Sequence, residues 1–140
     1  MLRCPIRSGS AKMKLLLDTQ VLLWADSDPD KLSPTARNLL SDPANARLLS
    51  VASLWEIQIK MQLGKLQLRL PLTNLMEEQA RKNAVEILPV NATHVFELSQ
   101  LPAVHKDPFD RLLASVARVE NASLLSADPV FRGYPVTVAW

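Results

Sequence analysis

Short apolar runs alternate along this chain with segments of helical periodicity. Apolar runs of this length, bounded by polar or turn residues, are typical of strands that are buried on both faces of a sheet. The pattern predicts strands at residues 14–17, 47–51, 86–90, 122–127 and 136–140.

The segments between these runs carry helix start and stop signals. In LSPTARNLLSDP, Ser33 is the predicted N-cap, Pro34 takes the first helical position, and the helix stops before Pro43. In SLWEIQIKMQLGK, Ser53 is the predicted N-cap and Gly64 lies just past the end. Apolar residues cover most of the girth of that helix, so it is predicted to be largely buried. The other predicted helices are 19–26, 73–83, 91–101 and 107–120.

Alternation of strands and helices predicts an α/β fold, a three-layer α/β/α sandwich with a central parallel sheet. In such sheets, ligands bind beyond the carboxyl ends of the strands. Asp18 ends the apolar run KLLL, and Asp128 follows SLLSA. The fold therefore predicts that these two acids meet at one edge of the sheet.

More acids are expected at the same edge. Glu56 is predicted in the first turn of the helix after the second strand, and Asp110 in the first turn of the helix after Asp107. Clustered carboxylates repel and raise one another's pKa unless a cation neutralises them. Mg²⁺ or Mn²⁺ takes carboxylate and water ligands, and can orient a water and stabilise charge on a scissile phosphate.

Each acid also has a structural alternative. Glu56 forms a capping box with Ser53 or a helix-surface pair with Lys60. Asp18, Asp107 and Asp128 fit N-caps, and capping is the favoured interpretation of Asp107 because a proline follows it. Asp110 fits a favourable interaction with the helix dipole. The joint pattern argues for a site more strongly than any single acid does.

Composition narrows the function classes. Apolar residues make up 48% of the 140 residues and charged residues 21%, as in one globular domain, and no apolar run is long enough to cross a bilayer. The single cysteine excludes an intrachain disulfide and fits a cytoplasmic protein. Residues 1–12 are interpreted as a flexible basic leader, or as an extension upstream of a start at Met13, ahead of a domain at 13–140. Without that leader the chain has 13 basic and 14 acidic residues, so its net charge is close to zero.

Other chemistries are less well supported. With three glycines there is no glycine-rich phosphate loop, and two histidines are too few for a zinc site or a serine triad. An aspartyl-phosphate enzyme with Asp18 as acceptor is disfavoured, because Gln20 stands where a haloacid-dehalogenase-type phosphatase needs an acid. A catalytically silent module that binds a basic partner peptide in the acidic cleft remains the alternative.

Four blocks of the sequence resemble, in order, those of PIN-domain proteins, and in particular of the VapC-like toxins of bacterial type II toxin–antitoxin pairs. They are LLLDTQVLLW, ASLWEIQIKMQLGKL, HKDPFDRLLASVA and LLSADPVF. The resemblance runs from Met13 to the C-terminus. It implies an endoribonuclease dependent on Mg²⁺ or Mn²⁺, a homodimer, a small antitoxin as partner, and transfer or ribosomal RNA as target.

The resemblance also implies roles for individual residues. The catalytic and metal-binding acids would be Asp18, Glu56, Asp110 and Asp128, and Thr19 and Ser126 match hydroxyl positions near the metal. Asp107 is expected to support the site because it lies three residues before Asp110. Relatives often carry His where this chain has Gln20. Because the body of the chain is near neutral, RNA contacts are expected from local cations, namely Lys60, Lys65, Arg69, Lys106 and Arg111. Each of these is equally compatible with a solvated surface.

Overall fold

The computed structural model describes residues 12–103 and 107–140, and there five parallel strands form one sheet. The strands are β1 (Lys14–Leu17), β2 (Ala46–Ser50), β3 (Val85–Leu88), β4 (Ser123–Leu125) and β5 (Val138–Ala139). Their spatial order is β3-β2-β1-β4-β5, so β1 lies at the centre. All four pairings are parallel, which confirms the predicted sheet.

Six α-helices connect and cover these strands in the described residues. They are α1 (Thr19–Ser27), α2 (Pro34–Ser41), α3 (Val51–Gln62), α4 (Leu72–Asn83), α5 (Ala92–Glu97) and α6 (Pro108–Glu120). Short 3₁₀ turns follow α1, α5 and β4 at Pro29–Lys31, Leu98–Gln100 and Pro129–Gly133. The helix predicted at 91–101 is thus divided into α5 and a 3₁₀ turn.

The core has two halves, one on each face of the sheet. Leu15 and Leu17 of β1 pack in one half, whereas Leu16 between them packs in the other, because successive side chains of a strand point to opposite faces. Ile57 of α3 lies in the first half and Val116 of α6 in the second. Helices therefore cover both faces, and the predicted three-layer α/β/α arrangement is confirmed.

The start of α3 differs from the prediction. Its N-cap is Ser50, whose hydroxyl accepts a hydrogen bond from the backbone N–H of Ala52 at 3.0 Å. Ser53 is buried inside the helix, so the predicted capping box with Glu56 is wrong. Glu56 consequently lies in the second turn of α3, not the first.

The prediction that α3 is largely buried is also wrong. Trp55 is 61% exposed and Leu63 is 63% exposed, and Val51 at the start of the helix is exposed as well. The helix does end as predicted, since Leu63 is the C-cap and Gly64 has a φ of 71°. Its apolar girth thus includes a surface that the described chain leaves uncovered.

No helix in the described ranges is both long enough and apolar enough to span a membrane. The proposed leader lies outside the described residues apart from Lys12, whose N–H donates to the carbonyl of Ala44 at 2.9 Å.

Ala84 offers a test of the backbone at the end of α4. This C-cap residue has a φ of 53°, in the left-handed region that favours glycine. We expect Ala84→Gly to raise the free energy of unfolding by about 0.5–1 kcal/mol, because relief of this strain outweighs the added freedom of the unfolded chain. Chemical denaturation would measure it.

Ala80→Gly is the matched control, because Ala80 is exposed and lies inside α4. It should lower the free energy of unfolding by about 1 kcal/mol. Equal destabilisation by both substitutions would contradict the assigned backbone geometry at Ala84.

Candidate active site

The four predicted site acids come from four separate elements around the carboxyl edge of the sheet. Asp18 directly follows β1 and is the N-cap residue of α1, and Asp128 precedes the 3₁₀ turn after β4. Glu56 lies in α3, and Asp110 lies in the first turn of α6. The pairing of β1 with β4 sets the first two acids side by side.

Ser126 links the two acids that follow strands. Its hydroxyl donates to Oδ2 of Asp18 at 2.7 Å, and its Oγ accepts the backbone N–H of Asp128 at 3.0 Å. The backbone N–H of Asp18 donates to the carbonyl of Leu125 at 3.0 Å, which continues the β1–β4 pairing to the site. Ser126 is buried, so these bonds hold the Asp18 carboxylate in a defined position.

Thr19 links the first strand to α3. Its buried hydroxyl donates to Oε1 of Glu56 at 2.7 Å. The other oxygen of that carboxylate, Oε2, lies 3.1 Å from Nζ of Lys60, one helical turn further along α3. Glu56 is therefore positioned by a neutral donor on one side and a cation on the other.

The acids are close enough to perturb one another. Burial raises the pKa of the Asp18 carboxyl, the hydrogen bond from Ser126 lowers it, and the charge of Glu56 raises it further. Burial raises the pKa of Asp110 to about 6, with further contributions from the charges of Asp107, Asp18, Asp128 and Glu56. The predicted site acids therefore lie near enough to one another for the charge of one to shift the pKa of another.

The structural alternatives have different outcomes for different acids. Asp107 caps α6, since its Oδ1 accepts from the N–H of Phe109 at 2.9 Å and of Asp110 at 3.3 Å. Asp128 caps the turn that follows it by accepting the N–H of Val130 at 3.0 Å. Asp18 makes no such capping bond. Helix capping therefore explains Asp107, accounts for one oxygen of Asp128, and leaves Asp18 without a capping role.

The predicted RNA-contacting cations are not equivalent. Arg111 donates to the backbone carbonyls of Pro102 at 2.8 Å and Leu98 at 3.4 Å. Arg69 pairs with Asp26 at 2.7 Å and also with Glu78. Lys106 lies outside the described residues. Of the predicted cations that the structure describes, Lys60 and Lys65 line the groove next to the acids.

That groove was missed by the sequence interpretation. It has a volume of about 480 Å³ and is lined by Glu56, Ile59, Lys60, Leu63, Lys65, Asp107, Pro108 and Phe109. The ring of exposed Trp55 stands edge-on to that of Phe109, with 5.1 Å between centroids. A signal was present, because Val51, Trp55, Ile59 and Leu63 recur every four residues and form a stripe on α3.

The acids fit a hard divalent cation in part. Among the described residues, no three Asp, Glu, His or Cys side chains are arranged to ligate one ion directly. Mg²⁺ is commonly held by one or two carboxylates and keeps several waters, so a ready-made cage is not required. Asp18 and Asp110, whose ionisation is opposed by burial and by neighbouring acids, are the carboxylates that a cation would relieve most.

Comparison with known proteins agrees with this arrangement. The PIN domain family matches residues 15–136, which contain all four acids. The chain belongs to the PIN-domain family. Comparison with curated protein sequences gives no significant match.

Solved structures share the PIN fold at low sequence identity. A chain of VapBC2 from Rickettsia felis, bound to a promoter DNA fragment, matches with a TM-score of 0.66 and 20% identity over 90% of this chain and 96% of that one. A chain of DNA-bound VapBC from Salmonella typhimurium matches with a TM-score of 0.61 and 15% identity over 90% of this chain and 96% of that one. A chain of FitAcB from Neisseria gonorrhoeae matches with a TM-score of 0.53 and 20% identity over 89% of this chain and 95% of that one.

The raised pKa of Asp110 predicts that this PIN domain gains stability when the acid is neutralised. The folded state binds the proton with a pKa of about 6 rather than 3.8, so ionisation costs stability as the pH rises through that interval. We expect Asp110→Asn to raise Tm at pH 7.5 by a few degrees, and the gain to shrink as the pH falls toward 3.8.

Thermal unfolding at pH 7.5, 5.5 and 4 would measure this effect. Asp18→Asn should behave in the same direction, because its pKa is also raised. Glu77→Gln, at an exposed position on α4, is the control and should shift Tm little at any pH. A loss of stability in Asp110→Asn at pH 7.5 would contradict the electrostatic cost assigned to this cluster.

Proposed function

We propose that this PIN domain is a metal-dependent endoribonuclease and the toxin component of a type II toxin–antitoxin pair. One observation carries the proposal: Asp18 and Asp110 keep carboxyl groups in surroundings that oppose their ionisation. A fold gains no stability from such a cluster, and costly clusters of this kind are typical of functional sites. A divalent cation would offset the repulsion.

The proposed cation is Mg²⁺ or Mn²⁺, held by Asp18, Glu56, Asp110 and Asp128, directly or through waters. When bound, it would supply charge stabilisation at a scissile phosphodiester and lower the pKa of a nearby water. Ser126 keeps the Asp18 carboxylate oriented, and Thr19 does the same for Glu56. Asp107 contributes by fixing the first turn of α6, on which Asp110 lies.

The partners are proposed from the relatives. Structures of similar chains are described as VapBC and FitAB complexes with DNA, which supports an antitoxin as partner of this chain. RNA as substrate, with transfer or ribosomal RNA as the expected target, follows from the VapC-like resemblance. A homodimer in the cytoplasm is part of the same proposal. Lys60, Lys106 and Arg111 are the proposed RNA-contacting cations.

A specific observation favours a second candidate function, that of an interaction module without catalysis. Trp55 and Leu63 expose most of their side chains beside the groove, and exposed apolar surface of this kind marks contact sites for other proteins. Both candidates share the acidic cleft, so catalysis must be measured directly.

The decisive experiment is incubation of the purified chain, free of antitoxin, with total cellular RNA in Mg²⁺, in Mn²⁺ and in EDTA. We expect discrete fragments with 5′-phosphate ends in the two metals and none in EDTA. Asp18→Asn should reduce cleavage by at least about 10²-fold, because the carboxylate would no longer contribute its charge to the cation site.

Asp30→Asn is the matched control, since Asp30 is an exposed acid beside Arg37, in the turn after α1. It should cleave as the unmodified chain does. Fragments ending in 2′,3′-cyclic phosphate would contradict hydrolysis by water. A folded, Mn²⁺-binding chain that cleaves no RNA would favour the interaction module.

A further inference from the structure

Both oxygens of the Glu56 carboxylate already have partners in the chain. Oε1 accepts the Thr19 hydroxyl at 2.7 Å, and Oε2 pairs with Nζ of Lys60 at 3.1 Å. The side chain of Glu56 is only 14% exposed, so solvent screens this charge poorly. The ammonium group of Lys60 thus occupies the position at Oε2 of Glu56 where a metal ion would otherwise bind.

The two partners of Glu56 differ in how easily they can leave. Thr19 is buried and carried on a short side chain at the start of α1, so its hydroxyl has little freedom. Lys60 is 46% exposed and reaches Glu56 through a flexible four-carbon stem. Because the Lys60 side chain is partly exposed, water can solvate its ammonium group when it leaves Glu56, so this ion pair can be exchanged for another partner.

An ammonium group and a divalent cation repel each other when they share one carboxylate. We infer that Lys60 is the resident counter-ion of Glu56, and that it exchanges this carboxylate for a phosphate of the bound nucleic-acid strand when a divalent cation enters the cluster. The inference rests on the proposed function for its second half, the transfer to a phosphate. Lys60 is then a positioning residue, which holds Glu56 in one state and substrate in the other.

The surroundings of Lys60 favour an anionic destination. Lys60 lines the groove of about 480 Å³ together with Lys65, and Glu56 forms one wall of the same groove. A strand phosphate near the acids would therefore lie within reach of an ammonium group released from Glu56. The exchange would leave neither anion without a counter-ion, because Glu56 would face the divalent cation and the incoming phosphate would face Lys60.

The first arm of the test measures Mn²⁺ binding to the free protein by the loss of the free-ion electron paramagnetic resonance signal. Lys60→Gln should tighten Mn²⁺ binding about two- to fivefold, since the competing ammonium group is removed. Lys65→Gln is the matched control, because it removes a positive charge from the same groove but no ion-pair partner of Glu56, and it should change the affinity less than Lys60→Gln does. An unchanged or weaker affinity in Lys60→Gln would overturn the inference.

The second arm measures binding of a short single-stranded oligoribonucleotide in EDTA by fluorescence anisotropy. Glu56→Gln releases Lys60, so it should tighten binding about two- to fivefold more than Asp128→Asn, which removes an acid that is not paired with Lys60. Adding Lys60→Gln should abolish that excess in Glu56→Gln and leave the effect of Asp128→Asn intact. In the Glu56→Gln background, Lys60→Gln should also lower the slope of log affinity against log salt concentration by about one.

The outcomes separate this inference from the proposed function. If the chain cleaves RNA but Glu56→Gln gains the same affinity with and without Lys60, the exchange is wrong and the nuclease stands. If no RNA is cleaved but both arms give the expected shifts, the nuclease fails and the exchange stands. A chain that binds neither Mn²⁺ nor the oligoribonucleotide would overturn the exchange.

Discussion

The parallel pairing of β1 with β4 is the interaction on which the rest of the site depends. It joins segments more than a hundred residues apart in the chain, and extends beyond the strands through the N–H of Asp18 and the carbonyl of Leu125. Because of this pairing, Ser126 reaches Asp18 at 2.7 Å and places Asp128 beside it. A slip in that register would separate the hydroxyl from the carboxylate it orients.

Burial of the apolar core stabilises the fold and offsets the electrostatic cost of the acids at the edge of the sheet. β1 is buried on both faces, with Leu15 and Leu16 fully inaccessible to solvent and packed into opposite halves of the core. At its carboxyl end the same strand delivers an acid whose ionisation is disfavoured by burial. The strongly apolar scaffold thus allows a PIN domain to hold carboxylates close together, at an electrostatic cost that proteins tolerate at functional sites.

Glu56 shows how a site residue depends on contacts that are remote in sequence. One of its oxygens is held by Thr19 from another element, and the other by Lys60 from its own helix. The second contact follows from helical spacing alone. The first requires α1 and α3 to pack side by side, and so depends on the order in which the sheet arranges β1 and β2.

The sequence by itself determined the strands, most helix limits and the convergence of the acids. Buried strands require continuous apolar runs, and parallel strands must end at one edge, so Asp18 and Asp128 could be placed together. Caps such as Ser33 and Asp107 were also predictable, because each precedes a proline, which is favoured at the first position of a helix.

Tertiary structure decided what local signals left ambiguous. Ser50 and Ser53 are both good caps, and the pairing of Ser50 with Leu88 keeps β2 extended up to Ser50, so α3 starts there. Helical periodicity marks α3 as apolar around its girth, but only the packing of neighbouring helices leaves Trp55 and Leu63 exposed. The raised pKa of Asp110 likewise depends on burial and on charges from other segments. Both depend on which residues lie close together in space, which the spacing along the sequence does not give.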